Sequence, residues 1–310
     1  MAGLIDAHIH WCLFGRPLRE VVAEFERLEA GGFEAVVVFP LPAMGAPPER
    51  AVDLVPGAYR DLTGIDVPRM VHDDLEAWIA FRPLWAARRR RLRVLSLLDV
   101  RAWDGRSDLG AWWGDGHAGL KNVLVLEEDE GKMRMPALRG VPGIAREEYL
   151  DAHRAVFAAA AARGVPLVYH ADLSLHAAFV EECLQAHPNL PVVIPHLGFS
   201  RRRMAQLLER FPRVMTDIAS LRPFIEADPE AYRSFILAYP ERVLLGSDAI
   251  ACLELRPVFE YARCVRELRL PPEVEEAVVA GNARRLLGPA LAEEGRGSYT
   301  ERHNCLRICP

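Results

Sequence analysis

At 310 residues, 51% hydrophobic and 26% charged, the chain can bury one large core. Its net charge of -5 gives no electrostatic footprint for nucleic acid, and no apolar run approaches the length of a membrane span. Cys12, Cys183, Cys252, Cys264, Cys305 and Cys309 lack Cys-x-x-Cys spacing and read as reduced thiols. With the first strand starting so early that no leader fits before it, a cytoplasmic location is expected.

Ile5 to His10 alternates as a strand does, so Asp6, His8 and His10 share one face. The amphipathic segment Leu18 to Ala30 stops at Gly31-Gly32, and Glu34 to Phe39 is a buried strand; together they form a βαβ unit. The Pro- and Gly-rich residues 41 to 74 read as an inserted loop, followed by a helix over Asp74 to Arg91. Further strands are expected over Arg93 to Val100, Ala118 to Leu126, Val165 to His170, Pro191 to His196, Arg213 to Ile218 and Arg242 to Asp248. Helices are expected over Glu147 to Arg163, Leu175 to Ala186, Arg201 to Arg210, Glu230 to Ala238, Pro257 to Leu268 and Pro272 to Leu287. Near-continuous apolar strands between helices predict a parallel sheet buried on both faces. Eight such units predict a (β/α)8 TIM barrel of class α/β over residues 1–290, with an insertion after strand 2 and a tail over 291–310.

In such a barrel all strands finish at one rim, where active sites lie. Four strands end in metal-type ligands: the first in His8 and His10, the fifth in His170, the sixth in His196, the eighth in Asp248. This Asp-x-His-x-His start, the histidines ending strands five and six, the aspartate ending strand eight, and Gly281-Asn282-Ala283-Arg284-Arg285 near the end resemble the amidohydrolase superfamily. The closing Gly-Asn-Ala run is similar to the amidohydrolase-2 branch, which includes aminocarboxymuconate semialdehyde decarboxylase. The resemblance implies one divalent metal, zinc first and manganese second, held by His8, His10, His170 and Asp248, with His196 left unbound as acid/base. It further implies hydrolysis of an amide, ester or lactone carbonyl in a small substrate, with Asp248 moving the water's proton. A non-oxidative decarboxylase is the alternative, and a non-catalytic ligand-binding barrel a minor one. The TatD nuclease type shares the opening motif but would want a glutamate where this chain has Lys121.

Trp11, Phe14, Trp103, Trp112 and Trp113 follow strands one and three and are candidates for an aromatic wall beside a ring substrate; loop packing is the competing use. Arg16 and Arg222 could pair with a substrate carboxylate, which makes carboxylate-bearing substrates the expected class. Only Lys121 and Lys132 of 38 basic residues are lysines, so a lysine in a barrel strand suggests a role arginine cannot fill. The expectation is a single metal, with Lys121 uncarbamylated and either paired or facing the substrate. His303, Cys305 and Cys309 in the tail have loose metal spacing, and a homodimer is an open option.

Overall fold

The computed structural model describes residues 3–13, 16–41, 67–88, 90–113, 116–129, 145–251 and 253–293. Phe14, most of the inserted loop, Lys132, Cys252 and the tail with His303, Cys305 and Cys309 lie outside the described residues. The helix after the insertion starts at Val67, earlier than expected, and ends at Ala86, ahead of the arginine run.

Nine parallel strands appear among the described residues: β1 Leu4–His10, β2 Phe33–Phe39, β3 Arg93–Asp99, β4 Gly119–Val123, β5 Leu167–His170, β6 Val192–Ile194, β7 Val214–Asp217, β8 Val243–Leu244 and β9 Ala249–Ile250. Their order is β8-β7-β6-β5-β4-β3-β2-β1-β9. The expected eighth strand is thus two short strands with a break between them. Asp248 stands in the break with φ of 61°, a left-handed backbone that cannot continue a strand. Because β8 pairs with β7 and β9 with β1, one stretch holds both ends of the order and the sheet curls round on itself. Inside the break, Ala7 N donates to Leu245 O at 2.9 Å and Asp248 N to His8 O at 2.9 Å. Asp6 Oδ1 accepts from His8 N at 2.9 Å and from Ser247 N at 3.2 Å, so the first acid of the opening motif stitches this seam.

Helices cover the outside of the sheet, and the elements that matter below are α1 Leu18–Ala30, α2 Val67–Ala86, α3 Gly110–Trp113, α4 Arg146–Arg163, α5 Leu173–Ala186, α6 Arg201–Arg210, α7 Arg222–Ala227, α8 Pro229–Ala238, α9 Arg256–Glu267, α10 Pro272–Glu276 and α11 Asn282–Glu293. Between α1 and α2 lies an aromatic cluster that includes Trp11. Its indole is fully buried, 6.2 Å from the Phe25 ring, 5.0 Å from Trp78 and 4.9 Å from Phe81. The aromatic-wall expectation is therefore corrected for Trp11: desolvating an indole is worth more in this core than at a wet rim. The expectation is corrected likewise for the tryptophans that follow β3. Gly105 abuts Ala152 in the middle of α4, and Trp113 lies 5.4 Å beneath the guanidinium of Arg163 at that helix's far end. Trp103, Trp112 and Trp113 are partly buried and pack against the hydrophobic core.

The Gly-Asn-Ala-Arg run closes the fold from below. A π-helical turn, Ala277–Gly281, separates α10 from α11, and its Val278 carbonyl accepts from Leu245 N at 2.9 Å. Asn282 Nδ2 donates to Pro240 O at 2.9 Å and to Val243 O at 2.7 Å, while Arg284 holds Glu34, Glu276 and Gly3 O. Replacing Asn282 by alanine strips donors from buried carbonyls and is expected to cost about 2 kcal/mol. A urea denaturation midpoint equal to that of the parent protein would rule out this closing role.

Candidate metal centre

Asp217, the last residue of β7, orders the centre. Its Oδ2 lies 2.7 Å from His8 Nδ1, and its Oδ1 accepts from His196 N at 2.9 Å and Ala219 N at 3.1 Å. A carboxylate only accepts, so His8 carries its proton on Nδ1 and turns Nε2 inward. That Nε2 is buried, has no hydrogen-bond partner among the described residues, and stands 3.2 Å from Asp248 Oδ1. Gly246 makes room here, since a Cβ at that position would come 2.9 Å from His8 Cβ.

His10 arrives from the next inward position of β1, with Nε2 3.1 Å from the same Asp248 oxygen. The other Asp248 oxygen accepts the Ser220 hydroxyl. His196 donates from Nδ1 to Ala219 O at 2.8 Å, which fixes its tautomer and leaves Nε2 with a lone pair toward the centre. The His170 ring lies 5.0 Å from the His196 ring, and the His196 ring 5.2 Å from that of His8. All five sequence-designated residues therefore gather in one place. Ligand atoms of His8, His196 and Asp248 lie within 4.8 Å of one another, so His196 belongs to a group that could hold a metal ion.

His196 is not in β6 but in the turn that follows it. His196, Leu197, Gly198 and Phe199 have φ of 58°, 50°, 55° and 57°, a left-handed turn in which non-glycine residues each cost about 1–2 kcal/mol. It persists because Asp217 and Ala219 hold His196 from both sides, Leu197 is buried, and Gly198 N donates to Pro195 O at 2.9 Å. A Cβ on Gly198 would come 2.4 Å from Leu173 Cδ1.

The electrostatics call for a cation. Burial works against charge on His8, yet Asp217 and Asp248 outweigh it and push the imidazole up to about 9. Asp248 is opposed by burial but held well below the usual carboxylate range by His10 and His8. Burial pushes His10 down to about 4 and carries His170 and His196 below the ordinary imidazole value. One buried and one half-buried carboxylate thus hold a proton on one histidine while its neighbours stay neutral, and a divalent ion would satisfy the same demand. The donor spacings fit: ligands at ~2.0–2.1 Å around a tetrahedral ion lie roughly 3.3–3.4 Å apart, close to 3.2 Å and 3.1 Å here.

Lys121 pairs with Asp99 and Val168 in the sheet, while Val123 pairs with His170, so its backbone lies one inward layer beneath the rim. Its side chain is fully buried, with Nζ 5.5 Å from the Phe39 ring centre and without a hydrogen-bond partner among the described residues. Burial lowers it to about 8, Asp99 opposing and Arg101 adding to the effect. Neither expected arginine is open to a substrate. Arg16 donates to Ala251 O, Leu253 O and Glu24 and pairs with Glu20. Arg222 is bound to Glu260 and Glu226. Both join neighbouring elements of the rim through ion pairs that a substrate carboxylate would have to break, which corrects the sequence expectation.

Asp217, Ser220 and the Asp99–Arg101 pair were not foreseen. Asp217 had a legible signal, an acid ending the one strand between two ligand-bearing ones. Asp217→Asn cannot accept from His8 and two backbone amides together, and zinc affinity is expected to fall by about 10–100-fold. Competition against a chelator measures this, and an unchanged affinity would remove Asp217 from the centre.

The family model described as Amidohydrolase matches residues 5–288. No match was found among curated proteins. Solved structures share the fold: a TIM-barrel protein of Bordetella bronchiseptica is 15% identical with TM-score 0.53, covering 93% of this chain and 99% of its own. A phosphotriesterase-like lactonase mutant of Deinococcus radiodurans is 15% identical with TM-score 0.54, covering 93% and 96%. A lactonase of Listeria monocytogenes is 11% identical with TM-score 0.53, covering 92% and 94%. With a matching model spanning nearly its whole length and the strand-end histidines and aspartate gathered at one rim, the chain belongs to the amidohydrolase family.

Proposed function

We propose that the protein is a metal-dependent hydrolase in which water attacks the amide, ester or lactone carbonyl of a small, carboxylate-bearing substrate. The observation that carries this reading is the convergence of His8 Nε2 and His10 Nε2 on one Asp248 oxygen, with the far nitrogen of His8 locked by Asp217. One zinc or manganese ion held by His8, His10, His170 and Asp248 would polarise the carbonyl and acidify water. Asp248 takes the proton of the attacking water and returns it to the leaving nitrogen or oxygen. His196, fixed through Nδ1, offers Nε2 to the carbonyl side of the substrate. The lactonase folds nearby in structure are consistent with such chemistry without naming a substrate.

Replacing His8 and His10 together by alanine is expected to abolish zinc content in a protein that still folds. Full occupancy in that variant would overturn the ligand set. Asp248→Asn is expected to lower kcat by about 10²–10⁴-fold, because an amide cannot take the proton. His196→Asn is expected to keep the metal and lose most turnover. Loss of metal there would instead make His196 a ligand.

Lys121, as a free amine, is the group left to meet the substrate carboxylate, since Arg16 and Arg222 are engaged. Its ammonium persists below its lowered value of about 8 and is lost above it. KM for acidic substrates should therefore rise as pH passes that value, while matched uncharged substrates should show no such rise. A parallel response for both would exclude Lys121 as the anion contact, as would a carbamylated lysine in a crystallographic map.

A further inference from the structure

We propose that Phe199 is a specificity-determining residue whose ring receives an aromatic or other planar apolar group of the substrate, so that the preferred substrate carries a ring at one end and an anion at the other. The proposal rests on the small-substrate reading above for what the ring is attached to. Its own basis is a residue that neither packing nor backbone explains. A residue serving the core would be buried, but Phe199 is 44% exposed. A residue serving a left-handed turn would be glycine or asparagine, but Phe199 holds φ of 57° with a bulky side chain. The turn does use glycine next door, at Gly198, where Leu173 leaves no space for a Cβ.

What the strained backbone accomplishes is placement. The Phe199 ring lies 5.2 Å from the His170 ring and 5.3 Å from the His196 ring, beside both a candidate ligand and the candidate acid/base. Aromatic groups pair well at such centroid distances, and the exposed part of the ring remains available for a further partner. The surroundings agree. Among the described residues, the exposed large hydrophobics Leu175, Phe224 and Leu253 also follow strand ends, those of β5, β7 and β9, on this half of the rim. Lys121 lies in β4, Asp99 ends β3 and Arg101 follows it, two and three strands from β6 in the order. The Phe199 ring at the rim and the Lys121 amine one layer beneath it are thus separate apolar and cationic contacts, which suits a ring-bearing carboxylic acid.

The test uses the zinc-loaded full chain and two acids that differ only in a phenyl for a methyl, hydrocinnamate and butanoate, with Kd read by calorimetry. Hydrocinnamate is expected to bind about tenfold more tightly, and Phe199→Leu to cut that ratio to about twofold with butanoate little changed. Phe199→Tyr should restore the ratio. Phe199→Asn, which suits the left-handed backbone, should fold at least as well and lose it. A ratio unaffected by leucine or asparagine, or a wild-type ratio near one, would overturn the ring contact even if lactones and N-acyl amino acids are hydrolysed. Absence of turnover on such a panel would instead sink the hydrolase reading and leave a Phe199-dependent ratio standing.

Discussion

The arrangement depends on one buried carboxylate, that of Asp217. It is the point at which β1, β6 and β7 are joined through side chains: one oxygen fixes the tautomer and ring direction of His8, the other holds the backbone amides of His196 and Ala219. Burial would raise its protonation, but His8 outweighs that cost and Asp217 stays ionised. An aspartate here therefore acts twice, as an anion that raises the need for a cation and as a clamp that aims two imidazoles at the place where the cation would sit. Without it the left-handed turn after β6 would lose its main anchor and His8 would be free to rotate.

Strain is gathered at the same rim. Among the described residues, the non-glycine positions with positive φ are His196, Leu197, Phe199, Ser220 and Asp248, which belong to the loops around the centre, and Arg269, which lies elsewhere. Each such residue lowers stability, so the barrel must hold them by better-satisfied contacts around them. The seam supplies those contacts. Asp6 bonds across from β1 to Ser247, Ala7 bonds to Leu245, and Asn282 and Arg284 fasten the C-terminal helix to the strand ends below. The break between β8 and β9 is part of this economy: interrupting the strand lets Asp248 turn its carboxylate inward while its amide still pairs with His8 O.

The strands and the residues gathered at the rim were legible because their signals are local and periodic. Val-Val-Val in β2 and the alternation in β1 need no tertiary context, and histidines at strand ends announce themselves. The strand ends were less legible: β4 spans only Gly119–Val123 and β6 only Val192–Ile194, although the apolar sequence runs further in both. Side-chain roles in loops were least legible. Trp11 and Arg16 have the residue types of a binding site, and nothing local distinguishes them from a core indole and an ion-paired clamp. Phe199 was hidden for the opposite reason: a Phe after Leu-Gly reads as core, and only the sign of φ turns it outward.

The contrast between Lys121 and its arginine neighbours follows from the same balance of burial and charge. Arg101 lies against Asp99, two residues back, through its Nε at 3.0 Å to each carboxylate oxygen. That planar pairing shares Asp99 with Arg101, so the charge Asp99 offers Lys121, its direct partner across the sheet, does not offset the cost of burial. A guanidinium at position 121 would bring five donors into a buried site against the Phe39 ring, and it could not shed its charge. An amine has one nitrogen on a slim stem, and burial has already brought its ionisation near neutrality. In a chain with 36 arginines and two lysines, lysine is the basic residue that can be buried without a hydrogen-bond partner among the described residues, within Coulombic reach of Asp217 and Asp248, and still acquire full charge when an anion arrives.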